Sequence, residues 1–437
     1  MSGLHMEIGG RAFELLPQWE QDFWKQEAEN IPVYCDYPDL HLAAQWDAPE
    51  QLPYYEKYCM MPNGICIPHG PVDCEWICAA HGGIADPSKI EYSLQYYCGK
   101  IIELLRQKDV VESARFAGVL GHLLQDSGTP VHSMNNITLN QLFPYENGIY
   151  YTWHKLGDHW PFKPELTNGE VELLGRNCDE LVFSTLEDIF VKVENSMGVI
   201  VPFVTAIRNQ DTAAADRISQ QYNSAAVMLT ARVWHTLFCI AFERFDEKEV
   251  QQFSVRPLTE SKMIYSFSKQ FDRQQFIDAG IPFYPTLYPD TDSCRARLSV
   301  NPYPHEPVFN YAFDGEGHLI PLELNINGKK EKADYGIAAG AFCIASFRVP
   351  GNIFDELELY VGIHPESKSD KESVCAIWCY EAAVPLLASG KITAKGDALH
   401  FKVKLPAACR TISLISAAWD EKLSVVWFEP RLKYRSV

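Results

Sequence analysis

A chain of 437 residues, 47% of them hydrophobic, is long enough to bury a sizeable core and to form two or three units of ordinary size. Lysine and arginine total 38 against 57 aspartates and glutamates, a net charge of -19, which leaves no electrostatic footprint for tight duplex-DNA binding. It leaves room for an enzyme acting on phosphate esters, because bound dications supply the positive charge that the side chains lack.

From residue 1 to about 250 the apolar residues recur at helical spacing and predict an all-α helical bundle. Residues 1–16 read as an amphipathic helix and not as a secretion signal, so the chain either stays where it is made or lacks its leader. Stripes over 92–107, 110–125 and 170–198 predict further helices. In the last helix of this half Ile218, Tyr222, Ala225, Leu229, Val233, Leu237 and Ile240 share one face. Arg232 and His235 interrupt the apolar run 225–242, so no transmembrane segment is expected. His235, alone on an apolar face, reads as a core histidine with a satisfied ring nitrogen.

Beyond 251–257 the helical period fades, and prolines and glycines punctuate short alternating runs. Residues 251–314 read as a connector, β-rich where it is structured. In 315–437 Phe401, Val403 and Leu405 alternate with Lys402 and Lys404, and 356–361 and 423–428 suit strands, so an all-β sandwich is expected there. The whole is a multidomain α and β chain. The 13 cysteines form no CxxC pair, although Cys74 and Cys78, like Cys375 and Cys379, are four apart. Most read as buried thiols, with surface disulfides only if the protein is exported.

The chemistry concentrates in the helical half, where eight of the 13 histidines precede Trp160. In GHLLQDSGTPVHSMNN, residues 121–136, His122 and Asp126 are four apart and share a helix face able to grip one cation. Gly128 and Pro130 end or bend that helix and turn His132 toward a neighbouring point. TWHKLGDHW repeats the pairing with His154 and Asp158. Either pair alone is most simply a surface hydrogen-bonded couple. Two pairs with a histidine between them exceed what one tetrahedral ion needs and suggest a multinuclear site with metals roughly 3.5 to 4 Å apart. His305, His318, His364 and His400 lack ligand spacing and read as structural.

The run His122-x3-Asp126-x3-Pro130-x-His132-x3-Asn136 resembles the signature of the zinc-dependent phospholipase C superfamily, which includes the single-strand-specific nucleases. GLHMEIGGRAFELLP resembles that family's first helix and points to His5, and VYCDYPDLH resembles the Tyr-Pro-Asp segment of toxin-type phospholipases and points to Asp39. The resemblance implies three zincs. Asp39, His69, His122 and Asp126 would hold the first, His132, His154 and Asp158 the second, and His5 with Asp126 the third. His41 and His81 are rivals to His69, and Asp36 to Asp39. The family completes the third site with an N-terminal tryptophan; none precedes His5, so Met1 or a trimmed Ser2 would have to supply the amine, and two zincs are expected if it fails. The implied reaction is phosphodiester hydrolysis by a zinc-bridging hydroxide attacking phosphorus in line, with Asp39 orienting the water or taking its proton. The resemblance also suggests export, although the sequence itself leaves the compartment unknown.

The stretch ADYGIAAGAFCIASFRVPGNIFDELELYVGI, with SVVWFEPRL, resembles a jelly-roll carbohydrate-binding module over roughly 315–432, with Gly336 and Trp427 at its glycine and final tryptophan. Such modules bind sugar on aromatic rings, for which Trp378, Tyr380 and Trp419 are candidates; a role as core aromatics is at least as expected. Three functions follow: a zinc phosphodiesterase acting on phospholipids or other phosphodiesters, a single-strand nuclease stacking bases on Trp153, Trp160 or Tyr151 with Asn136 nearby, and a glycan-binding protein with structural zinc.

Overall fold

The structure, a computed structural model, describes residues 3–47, 57–59, 87–133, 141–143, 156–157, 160–161, 170–261, 263–264, 307–314, 316, 318–340, 342–369, 372–379, 381, 384–417 and 423–436. It divides into two compact units, Met1–Val250 and Gln251–Val437. The first is helical and the second is an antiparallel β region.

The helices that frame the first unit are α1 (Leu4–Leu15), α2 (Gln18–Phe23), α3 (Ile31–Asp47), α4 (Pro87–Arg106), α5 (Val110–Asp126), α6 (Cys178–Arg208) and α7 (Thr212–Phe242). Three of them start on side-chain caps: Asp109, Asn177 and Asp211 accept from the amides of Glu112, Glu180 and Ala214. The apolar stripe beginning near 170 therefore becomes a helix only from Cys178, because Asn177 takes the cap and Arg176 is held outside it by Glu180. The chain leaves α7 through Glu243 in the left-handed conformation. By length and composition alone α6 and α7 are long and apolar enough to cross a membrane; 35% of the apolar window of α6 and 78% of that of α7 is buried, the latter as in a core helix.

α1, α3 and α5 approach closely. A Cβ on Gly9 of α1 would lie 2.5 Å from Sγ of Cys35 in α3, and one on Gly118 of α5 would lie 2.3 Å from Cβ of Tyr34. Glycine at these two crossings lets the backbones meet, and that contact brings distant polar residues together.

In the second unit, the larger sheet orders as β13 (Leu399–Lys404), β10 (Phe354–Ile363), β15 (Val425–Tyr434), β8 (Gly336–Ala339) and β3 (Val308–Phe309), with β1 (Val255–Pro257) also paired to β15. The other runs β12 (Val384–Ile392), β11 (Ser373–Cys379), β14 (Thr411–Ala417), β9 (Phe342–Arg348) and β2 (Met263–Ile264). Two hairpins, β4 (Ala312–Phe313) with β5 (Leu319–Ile320) and β6 (Leu322–Ile326) with β7 (Lys329–Ala333), complete it. Every pairing among the described residues is antiparallel. The described parts of 251–314 thus add strands to both main sheets. The alternation read at 401–405 is real: Phe401 and Val403 stand opposite Leu359 and Leu357.

Candidate metal centre

Five of the residues singled out in the sequence converge in the helical unit: His5 from α1, Asp39 from α3, His122 and Asp126 from α5, and His132 from the 3-10 turn Pro130–Ser133. The i, i+4 spacing puts His122 and Asp126 on one face, with Nε2 of His122 3.4 Å from Oδ2 of Asp126. Pro130 and the turn after α5 carry His132 back, its Nε2 3.4 Å from Oδ1 of Asp126. His5 brings its Nε2 to 3.5 Å from the same Oδ1 and 3.6 Å from Asp39. Asp39 also lies 3.7 Å from Nε2 of His122. Asp126 is the hub, approached by three imidazoles.

The orientation of the rings follows from their other nitrogens. Nδ1 of His122 donates to the backbone carbonyl of Cys35 at 2.8 Å, and Nδ1 of His5 donates to Oε1 of Gln125 at 2.9 Å. In the neutral tautomer set by those bonds, each Nε2 presents its lone pair toward two carboxylates. Lone pair against lone pair is repulsive unless a proton or a cation lies between them. The separations of 3.4 to 3.7 Å match the edge of a tetrahedron with bonds of about 2.05 Å, roughly 3.3 Å. Ring N–H donation to a carbonyl or amide oxygen is also the usual support of a ligating histidine. Oδ1 of Asp126 is buried and accepts no hydrogen bond, which fits a metal-facing oxygen. His5, His122 and Asp126 are buried, whereas the Asp39 side chain is 30% exposed, so Asp39 marks the side open to solvent. The donor set of imidazole and carboxylate suits zinc or a similar divalent ion.

Of the rivals, Asp39 and not Asp36 stands in the cluster; Asp36 lies instead beside Gly3, where an added Cβ would meet its carboxylate at 2.6 Å. His69, His81, His154, Asp158, Trp153, Tyr151, Asn136, Tyr380 and Trp419 lie outside the described residues, as does the side chain of His41. Trp160 is half-buried, packs edge-on against Phe203 and donates its indole N–H to Asp216 at 2.8 Å. The proposed sugar contact through Trp378 needs correction: this ring is 1% exposed within β11, and a ring with no open face cannot stack on a sugar. His235 is the core histidine expected, bonded to Glu20 at 2.6 Å. Of the histidines read as structural in the β half, His364 meets the Pro321 carbonyl, His400 meets Glu358 and His318 meets Asp314.

Gln125 and the Cys35 carbonyl are the functional groups that sequence reasoning missed. Gln125 sits in the quoted motif, three residues after His122, but no local signal marks it as the partner of His5. Nine cysteines lie among the described residues, all but Cys178 buried, and burial pushes the Cys35 thiol up to about 12 and that of Cys178 up to about 11.

No known family description and no curated protein matches the chain. Among solved structures, the chain is similar to the tandem CBM51 modules of the family 98 glycoside hydrolase from Streptococcus pneumoniae, with 21% identity over 30% of this chain and 42% of that one, at a TM-score of 0.26. It is similar to the CBM51 of a Clostridium perfringens GH95 in complex with methyl-galactose, with 19% identity over 31% of this chain and 97% of that one, also at 0.26. A third is the CBM51-2 and INT domains of Clostridium perfringens ZmpB in complex with GlcNAc, with 11% identity over 30% of this chain and 28% of that one, at 0.26. At TM-scores of 0.26 these likenesses carry no assignment of ligand or activity, and none of these three is named as a phospholipase C or a nuclease.

Proposed function

We propose that the helical unit is a metal-dependent phosphodiester hydrolase whose centre is held by His5, Asp39, His122, Asp126 and His132. The observation that carries this reading is the aim of Nε2 of His5 and of His122 at the two carboxylates, at 3.4 to 3.7 Å, with both Nδ1 atoms already bonded elsewhere. A zinc ion held by these residues would supply Lewis acidity toward water and a phosphoryl oxygen. Asp126 bridges the three imidazoles and holds the donor set in register. Asp39, the exposed member, is the group able to orient an incoming water and take its proton. Fold and donors leave the ester open between phospholipid and single-stranded nucleic acid.

The test is a metal count on the purified protein joined to a panel of bis-nitrophenyl phosphate, phosphatidylcholine and single-stranded DNA. Two or three zincs held by the centre around Asp126, lost together in Asp126→Asn, with turnover of one of these esters is the expected result. A loaded protein that cleaves none of them would leave a structural metal and sink the reading.

A second reading concerns the β unit, for which the jelly-roll-like stretch and its two antiparallel sheets favour glycan binding. Gly336 backs directly onto Trp427, where an added Cβ would lie 2.8 Å from the Trp427 carbonyl, so these two pattern positions act in packing. Methyl-galactose and GlcNAc are the first probes, by calorimetric titration of the whole protein; absence of heat with both, and with a broader glycan panel, would remove this reading.

A further inference from the structure

A second group of ligand-type side chains lies in the helical core, built from residues that the centre around Asp126 does not use. Glu20 of α2 and His235 and Cys239 of α7 are all buried, and their donor atoms lie within 4.8 Å of one another. His235 and Cys239 are one helical turn apart, so a single face of α7 carries both. Sγ of Cys239 is 3.8 Å from Nδ1 of His235 and 3.6 Å from Nε2. A tetrahedral shell with a bond of about 2.3 Å to sulfur and about 2.05 Å to nitrogen separates those two donors by roughly 3.5 Å.

Glu20 adds the independent observation. Its Oε1 meets Nδ1 of His235 at 2.6 Å, while its Oε2 is buried and accepts no hydrogen bond. A buried carboxylate oxygen left without a donor is costly. The surroundings offer little relief, because Trp19 and Phe23 pack edge-on against Phe238 and Phe242. Arg244 is committed to the face of Trp19, 4.5 Å from its centroid. Burial pushes the Glu20 carboxyl up to about 7 although His235 and Arg244 both pull it down.

We infer that Glu20, His235 and Cys239 bind a divalent cation of zinc type as a structural site that pins α2 to α7. The charges close: one carboxylate, one thiolate and a neutral imidazole around a dication sum to zero, the least costly state for a buried cluster. The thiolate selects a borderline-soft ion over calcium or magnesium. On binding, the S–H bond of Cys239 breaks, its electron pair forms the sulfur–metal bond and the proton leaves to solvent, with no change of oxidation state. Oε2 of Glu20, the imidazole nitrogen not bonded to Oε1 and Sγ supply three donors, a water would complete the shell, and burial of all three residues makes the site structural.

The test uses the full-length protein, stripped of metal and reloaded with cobalt(II). The expected result is a thiolate-to-cobalt charge-transfer band in the near ultraviolet. In Cys239→Ser, or in Cys239→Ala if the serine variant fails to fold, this band is lost and bound metal falls by one equivalent per chain. Wild-type protein that takes up cobalt with no thiolate band overturns the inference, whatever the variants do. So does a band that survives in a folded Cys239 variant, since it would belong to another cysteine. Hydrolytic activity does not enter either readout, so this site and the phosphodiesterase reading fail independently.

Discussion

In the proposed centre His5 and His122 are oriented by groups that are not themselves proposed ligands. Gln125 and the Cys35 carbonyl take the Nδ1 protons and so decide which nitrogen faces Asp126 and Asp39. Gln125→Leu, which keeps volume and removes the acceptor, is expected to weaken metal binding about 10- to 100-fold, read by competition with a chromophoric chelator. Asp126→Asn keeps the shape of the hub and removes its charge. Its expected effect is loss of at least one bound metal and a fall in phosphodiester hydrolysis of roughly 100-fold or more, measured on bis-nitrophenyl phosphate; unchanged metal content would contradict the hub role. At this scale His122, Asp126 and His132 were legible, because i, i+4 spacing and a proline turn are local rules. Gln125 was not, because an amide side chain is common on helices and nothing local says which histidine it will reach 120 residues away.

The centre depends on how three helices cross. Gly118 lets α5 lie against Tyr34 of α3, with a would-be Cβ only 2.3 Å from the Tyr34 Cβ and 2.9 Å from its carbonyl carbon. Gly118→Ala is expected to cost about 2–3 kcal/mol in urea unfolding, since the backbone of α3 must move, and to lower metal content as Asp39 is displaced. A variant with wild-type stability and full metal would show that the crossing has slack. Between α6 and α7, Lys192 donates to the Ala225 carbonyl at 2.6 Å, and burial pushes its ammonium down to about 8, with Arg232 adding to the fall and Asp188 opposing it. The folded-state value lies below the unfolded 10.5, so between about 8 and 10.5 the unfolded chain binds more protons and stability rises with pH. Below about 8 the full cost of the buried charge is present. Wild type should therefore gain on the order of 1–2 kcal/mol from pH 8 to 10 relative to Lys192→Met, by chemical unfolding at each pH. Equal slopes for both proteins would contradict it. The stripes over 92–107 and 110–125 foretold α4 and α5, whereas α3 escaped notice because Pro38 interrupts its pattern. Its register is nevertheless held by packing against α1 and α5.

Each unit has a core of its own, with Leu120, Trp234 and Phe238 in the helical one and Ile377, Leu414 and Trp427 in the β one. Calorimetry is expected to resolve two transitions, of which chelation lowers only the helical one, because both proposed metal centres belong to Met1–Val250. At a metal concentration 1,000 times the Kd the difference is about 4 kcal/mol. A single transition, or one insensitive to chelator, would contradict this. The sequence by itself determined that one half is helical and the other β, since the 3.6 and 2.0 periods follow from backbone geometry and the need to bury one face. It also determined the donor types and the pairing of His122 with Asp126. Only the tertiary structure decided that Asp39 and not Asp36 enters the centre, that Trp378 is buried, and that Glu20 reaches His235 across 215 residues. The reason is physical: periodicity assigns a residue to a face, but which face meets which is set by side-chain volumes at crossings such as Gly9 with Cys35 and Gly118 with Tyr34, and these have no local signature.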